Sequence, residues 1–265
     1  MRLGLFDSGI GGLTVLKKVV ELYPNTSFIY LADTARLPYG VKTSNEIFQI
    51  AEEISFWFKH KNIDAFLVAC NTTNAVALDV IKSKLDVPVF ELIQSVSSTI
   101  QEDRVGVLAT SSTVKTKAYT NAILNFRPKT FVIEQACPDF VPLIEMENID
   151  IDKLTDVAIE YLKPLLNQKI ESLILGCSHY PLITPLLREI LPSSVILIDP
   201  AEALSLKLKL FMESKKNNFE KKKSLLDSTF CVTSHPKNFS IRAKQWLKMF
   251  PEVNLVSLQK KGYVS

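Results

Sequence analysis

Residues 65–74 read AFLVACNTTN, an apolar run that ends at a thiol and then turns polar at once. The apolar half is typical of a strand buried on both faces of a parallel sheet, because it does not alternate with polar residues. Cys70 would then stand at the carboxyl end of that strand, where α/β proteins bind their ligands. Free cysteines are also often buried for packing alone, so this stretch by itself leaves both interpretations open.

Nine further apolar segments look like strands of the same kind. They are LGLF (3–6), FIYLA (28–32), VPVFEL (87–92), RVGVLA (104–109), TFVIEQA (130–136), SLILG (172–176), SVILI (194–198), TFCVTS (229–234) and NLVSL (254–258). Longer segments with helical periodicity separate them. Thr43 and Glu46 have capping-box spacing before a helix over 44–60, and Pro181 is placed to open another helix. This alternation predicts an α/β fold.

Two pairs of segments repeat in the same order along the chain. RLGLFDS (2–8) resembles RVGVLAT (104–110), and FLVACNT (66–72) resembles LILGCSH (173–179). The repeat indicates two pseudo-symmetric α/β domains with mainly parallel sheets and an active site in the cleft between them. Cys70 and Cys177 would then face each other across that cleft, each at a strand end and each followed by polar groups.

The bulk composition excludes several classes of protein. The chain has 265 residues, 47% of them hydrophobic, and a net charge of only +3, which suggests no nucleic-acid or membrane partner. The lysine-rich run at 215–224 is expected to be a solvated connector or helix end. The four cysteines are widely spaced, so we expect reduced thiols in a cytoplasmic protein. We expect neither a signal peptide nor a membrane-spanning segment.

Two facing thiols suit a two-base proton transfer at a carbon acid. One thiolate would remove a proton from one face of a tetrahedral carbon while the opposite thiol delivers a proton to the other face, which inverts the configuration. A free thiol is only a few per cent ionised at neutral pH, so each needs a partner. His179 and Asp7 are the nearest candidates, and the DSGIGG turn (7–12) offers main-chain N–H donors for a carboxylate.

Other chemistries remain open on the residues alone. GIGGLT has Thr14 where a dinucleotide fingerprint needs its last glycine, although Asp33 lies at a suitable distance. Cys70, Cys177 and His179 could form a metal site but lack a local ligand pair. Cys177 and His179 could instead act as the nucleophile and base of a thiol hydrolase, and a non-catalytic binding protein is a further alternative. Cys137 and Cys231 are interpreted as core packing.

Five motifs in order resemble the glutamate racemases, cofactor-independent enzymes that interconvert L- and D-glutamate for peptidoglycan synthesis. They are FDSGIGGLTV (6–15), DTARLPYG (33–40), VACNTTNA (68–75), CPDFVPLIE (137–145) and LGCSHYPL (175–182). The resemblance implies a homodimer with no pyridoxal phosphate or metal. It also implies a first domain of residues 1–94 and 207–265 and a second domain of residues 95–206.

The resemblance also implies roles for individual residues. Cys177 would deprotonate L-glutamate with help from His179 and Glu145, and Cys70 would deprotonate D-glutamate with help from Asp7. The expected substrate-binding residues are Asp7, Ser8, Tyr39, Gly40, Asn71, Thr72, Ser178 and His179. Related diacid chemistry on the same scaffold, such as aspartate racemisation, decarboxylation or cis–trans isomerisation, is the alternative. The departures from the usual motifs are Thr73, Asn74, Gln94 and Ser178.

Overall fold

The computed structural model describes residues 1–215 and 224–258, and ten strands lie within them. They are β1 (Arg2–Asp7), β2 (Ser27–Ala32), β3 (Ala65–Val68), β4 (Val89–Glu91), β5 (Arg104–Ala109), β6 (Phe131–Ala136), β7 (Ser172–Gly176), β8 (Ile196–Ile198), β9 (Thr229–Val232) and β10 (Val253–Leu255). Each apolar segment predicted as a strand overlaps one of them. The prediction of the strands is therefore confirmed, with small differences at their ends.

Eleven α-helices lie in the same residues and alternate with the strands. They are α1 (Gly12–Leu22), α2 (Ser44–Lys59), α3 (Asn71–Lys84), α4 (Leu92–Ser97), α5 (Ser111–Thr116), α6 (Ala118–Phe126), α7 (Phe140–Glu145), α8 (Ile151–Asn167), α9 (Thr184–Ile190), α10 (Pro200–Lys215) and α11 (Pro236–Leu247). None of these helices is both long and apolar enough to cross a bilayer. Apart from its two end residues, the lysine-rich run at 215–224 lies outside the described residues.

The strands form two sheets in which every pairing is parallel. The six-stranded sheet has the order β10-β9-β2-β1-β3-β4, and the four-stranded sheet has the order β6-β5-β7-β8. The predicted α/β fold with two mainly parallel sheets is confirmed. Strands β9 and β10 come from the C-terminal part of the chain and extend the first sheet. The exact domain limits stay a prediction.

The two sheets repeat one strand order. The run β2-β1-β3-β4 matches β6-β5-β7-β8, so β1 corresponds to β5 and β3 to β7. Cys70 lies two residues beyond the end of β3, and Cys177 directly follows β7. The two thiols therefore stand at the carboxyl ends of equivalent strands, as the repeated segments predict.

Both faces of the first sheet are covered, which explains why its strands are apolar throughout. Leu5 and Leu67 share a buried cluster with Leu13 of α1 on one face. Phe6 and Val68 belong to another buried cluster on the opposite face, together with residues of α2. Successive residues of each strand thus point into different cores, and neither face can be polar.

Helix α2 forms as its sequence predicts, whereas the segment after Cys177 does not. The capping box is present, with the Thr43 side chain accepting from the Glu46 main chain and Glu46 bonding back to Thr43. Pro181 does not open an α-helix: residues Tyr180–Ile183 form a 3₁₀ turn, and α9 begins only at Thr184. The reason is Pro185, which has no N–H to donate to the Pro181 carbonyl and therefore interrupts a continuous helix.

Candidate active site

A single pocket between the two sheets brings both strand-end thiols together. The pocket is tight, with a cavity volume of about 20 Å³. Cys70 and Cys177 both line it, and both are buried. The other lining residues are Ser8, Leu37, Pro38, Tyr39, Gly40, Val41, Asn71, Thr110, Cys137, Pro138, Val141, Ser178 and His179.

Cys70 occupies the position just before helix α3. Burial and, after it, the charge of Asp7 raise the pKa of its thiol to about 12. Two residues lower that pKa: Thr73 through its main chain and hydroxyl, and Ser8 through its hydroxyl. Cys70 is therefore a thiol at rest, with donors in place that favour its thiolate.

Asp7 lies at the end of β1, fully buried, and it links the two cysteine loops. Its carboxylate accepts the Gly9 N–H at 3.1 Å and the Ser178 hydroxyl at 2.8 Å. Burial raises the pKa of Asp7, while the charge of His179 and these hydrogen bonds oppose the rise. The sequence places Asp7 beside Cys70; the structure adds a direct bond to the residue that follows Cys177.

Cys177 stands at one end of a chain of polar groups. Its Sγ is 4.0 Å from the Nδ1 atom of His179, whose Nε2 donates to the Glu145 carboxylate at 2.6 Å. Burial lowers the pKa of His179, but the hydrogen bonds to Cys177 and Glu145 outweigh it and raise the pKa to about 10. Burial raises the pKa of Glu145, yet His179 and Arg242 bring it below its usual value. The structure therefore favours an imidazolium–carboxylate pair beside Cys177.

The expected substrate-binding side chains do not all face the pocket. The Tyr39 hydroxyl donates to Asp33, so the ring forms a buried wall while its hydroxyl points at Asp33. Thr72 does not line the pocket, and its hydroxyl is 2.9 Å from that of Thr110, which does. The side-chain oxygen Oδ1 of Asn71 accepts a hydrogen bond from the Tyr119 hydroxyl at 2.6 Å. The two hydrogens on the side-chain nitrogen of Asn71 are left to act as donors.

Glycines let the two loops approach each other. A Cβ atom on Gly11 would lie 2.4 Å from the Ser178 hydroxyl and 2.6 Å from His179 Nδ1. A Cβ atom on Gly12 would lie 2.5 Å from the Asp7 Cβ. None of the glycines in the described residues has a positive φ. The glycines of the 7–12 turn are therefore required for close approach and not for an unusual backbone conformation.

The comparisons with known proteins agree with this geometry. A family model described as Asp/Glu/hydantoin racemase matches residues 10–206. A glutamate racemase from Prochlorococcus marinus (strain NATL1A) is 75% identical over 265 residues, which is 100% of both chains. The chain belongs to the glutamate racemases, within the Asp/Glu/hydantoin racemase family. The family resemblance inferred from the motifs is confirmed, and the chain is an amino-acid racemase.

Solved structures of other racemases share the fold. A glutamate racemase from Francisella tularensis, crystallised with D-glutamate, is 33% identical with a TM-score of 0.90, over 97% of this chain and 98% of that chain. An aspartate racemase from Picrophilus torridus is 15% identical with a TM-score of 0.59, over 81% of this chain and 94% of that chain. The second likeness is one of fold alone.

The structure adds three residues to those that the sequence analysis assigned to this racemase site. Thr110 lines the pocket next to Thr72, and Arg242 of α11 binds Glu145. Cys137, interpreted as core packing, is buried but also lines the pocket. It follows β6, which is separated from β7 by β5, so it lies about two strand spacings, or roughly 9–10 Å, from Cys177. That separation is too long for a disulfide without movement of the backbone.

Three of the four departures from the usual motifs make a hydrogen bond in this racemase. Ser178 keeps the hydroxyl that donates to Asp7. The side chain of Asn74 accepts the Ile93 N–H at 3.0 Å, and the Gln94 N–H donates to Glu91 at 3.0 Å in the first turn of α4. A proline at position 94 could not make that bond. The metal-site alternative gains no support, since no group of three or more His, Cys, Asp and Glu side chains in residues 1–215 and 224–258 is placed to hold an ion.

Proposed function

We propose that this racemase interconverts L- and D-glutamate by passing the Cα proton between Cys70 and Cys177. One observation carries the proposal: two buried thiols at the ends of equivalent strands line one pocket, and each has its own set of polar partners. A packing role accounts for one buried cysteine at such a position. It does not account for a symmetric pair in a pocket rich in hydrogen-bond donors.

The proton transfer begins with the thiolate of one cysteine. With L-glutamate bound, Cys177 takes the Cα proton, and the negative charge that develops next to the carboxylate is stabilised by the surrounding donors. Cys70, protonated at rest, then delivers a proton to the opposite face and becomes a thiolate. The reverse reaction starts at Cys70 with D-glutamate. The acid and the base are both side chains, so the scheme uses no cofactor.

The two thiols have different support for the charged state. At Cys177 the support is cationic, because His179 is held as an imidazolium by Glu145. At Cys70 it comes from neutral donors, namely Thr73 and Ser8, together with the start of helix α3. Asp7 opposes ionisation of Cys70 while it carries a charge of its own. We propose that a proton on Asp7 relieves this repulsion when Cys70 acts as the base.

The cellular role follows from the product. D-Glutamate is a component of peptidoglycan, so we propose that the enzyme supplies it for cell-wall synthesis. We further propose that it acts in the cytoplasm as a homodimer.

A substrate panel tests the assignment. Purified, reduced protein without added cofactor should bring the circular dichroism of either glutamate enantiomer to zero, and it should turn over L-aspartate at least tenfold more slowly. The double variant Cys70→Ser, Cys177→Ser is the matched control and should be inactive. Faster turnover of aspartate would favour the related diacid chemistry, and a covalent acyl adduct on Cys177 in mass spectrometry would favour the thiol hydrolase.

A further inference from the structure

Glu145 is held from two sides by residues of different parts of the fold. One carboxylate oxygen accepts from His179, and the other forms an ion pair with Arg242. Arg242 also donates to the main-chain carbonyls of Glu145, at 3.3 Å, and Ile144, at 3.0 Å. The guanidinium therefore binds both the side chain and the end of helix α7, where the last carbonyls lack partners within the helix.

Arg242 makes this contact across the two sheets. It lies on α11, which follows β9 of the six-stranded sheet, whereas Glu145 lies on α7, which follows β6 of the four-stranded sheet. The side chains of Arg242 and Glu145 are 28% and 21% exposed, so the pair is shielded from water over most of its surface. An arginine that merely solubilised the outer face of α11 would not need three contacts with one helix end.

The charge of Arg242 acts on the group that supports Cys177. Together with His179, whose effect is larger, it lowers the pKa of Glu145 against the effect of burial and so favours the carboxylate form. An ionised Glu145 in a fixed orientation holds the imidazolium form of His179. Arg242 Nη1 on one carboxylate oxygen and His179 Nε2 on the other hold the carboxylate between them, while Arg242 Nη2 binds the Ile144 carbonyl.

We propose that Arg242 is a positioning residue that tunes Cys177, through Glu145 and His179, and reaches Cys70 only indirectly, through His179 and Asp7. The pKa of Cys70 depends on Thr73, Ser8 and Asp7, whereas the hydrogen bonds of Arg242 go to Glu145 and Ile144. Loss of Arg242 should therefore raise the barrier for proton transfer mainly at Cys177. This inference rests on the proposed two-thiol function, with Cys177 acting on L-glutamate.

A racemase cannot show this asymmetry in its overall efficiency. The equilibrium constant between enantiomers is unity, so any variant must lower kcat/KM equally in the two directions. Primary isotope effects escape this constraint, because each enantiomer deuterated at Cα reports the step at one thiol. When transfer at Cys177 becomes more rate-limiting, the isotope effect on kcat/KM rises for L-glutamate and falls for D-glutamate.

The test compares Arg242→Gln, Arg242→Lys and the wild type. We expect Arg242→Gln to lower kcat/KM about 10- to 100-fold, the order of loss for a hydrogen bond to a charged group, with the opposite changes in isotope effect described above. Arg242→Lys keeps the charge without the fork and should recover part of both effects. Arg188→Gln is the matched control. Arg188 lies in α9 and donates to the main-chain carbonyl of Val195, seven residues further along the chain. Its loss should leave the isotope effects unchanged.

The outcomes separate this inference from the proposed function. Isotope effects that stay unchanged, or move together for the two enantiomers, in a folded Arg242→Gln or Arg242→Lys protein would overturn the role of Arg242. The two-thiol scheme would survive that result if wild-type protein racemises glutamate with an isotope effect on both enantiomers. Wild-type protein without any such activity would overturn the proposed function itself.

Discussion

Replacing either Cys70 or Cys177 with serine is expected to lower the racemisation of glutamate by about 1,000-fold, within the ~10²–10⁴ range of general acid–base catalysis. A serine hydroxyl fills nearly the same space as the thiol, so the pocket should keep its shape. The serine hydroxyl is far too weak an acid to ionise and act as the base on one side of the substrate. Decay of the circular dichroism of L- and D-glutamate measures the loss in each direction.

Cys231→Ser is the matched control for these two variants. Cys231 lies in β9, in a buried cluster on the first sheet, and does not line the pocket. We expect it to cost stability, because a buried hydroxyl needs a partner, but to leave kcat/KM close to that of the wild type. Normal turnover in either the Cys70 or the Cys177 variant would refute the two-base scheme.

Gly11→Ala is expected to have the second large effect. The added methyl group would lie within 2.4 to 2.8 Å of the Ser178 hydroxyl, the Ser178 main chain and the His179 ring. Real contacts are never this short, so the loop that carries Cys177 must shift. We expect kcat/KM to fall at least about 100-fold, since misplacement of a catalytic group by ~1 Å has that order of cost. Enzyme kinetics and urea unfolding on the same preparation measure both consequences.

Gly106→Ala provides the same chemical change away from the pocket. Gly106 is in β5, and a Cβ atom there would meet the ends of flexible side chains, with Ile170 Cδ1 at 2.8 Å and Leu173 Cδ1 at 3.1 Å. It should lose about 1–3 kcal/mol of stability from overpacking while its kcat/KM stays within a few-fold of the wild type. A Gly11 variant as active as the Gly106 variant would show that close approach of the two loops is not required.

The sequence predicts the sheets and the placement of the thiols because both rest on local patterns. An apolar run without alternation indicates a doubly covered strand, and a repeated segment places Cys70 and Cys177 at equivalent ends. The capping box of α2 is equally local. Pro181 shows the limit of such reasoning, because its helix-opening tendency is overruled by a second proline four residues later.

Arg242 could not be predicted, because its significance depends on a contact across 97 positions of the chain. On an amphipathic helix, an arginine has the same local pattern whether it faces water or a carboxylate on another helix. The direction of the Tyr39 hydroxyl could not be predicted from the sequence for a related reason. Its motif indicates a turn near the pocket, but only the fold reveals that Asp33 accepts the hydrogen bond.

Racemisation of glutamate in heavy water shows whether two bases on opposite faces of the substrate, or only one, move the Cα proton. The reaction starts from protiated L-glutamate with reduced wild-type protein, is stopped at low conversion, and the enantiomers are separated for mass spectrometry. Two thiols on opposite faces predict that the D-glutamate formed carries deuterium at Cα, while the recovered L-glutamate remains protiated. D-Glutamate that retains the original proton, or an L-glutamate pool that exchanges as fast as product forms, would contradict the account.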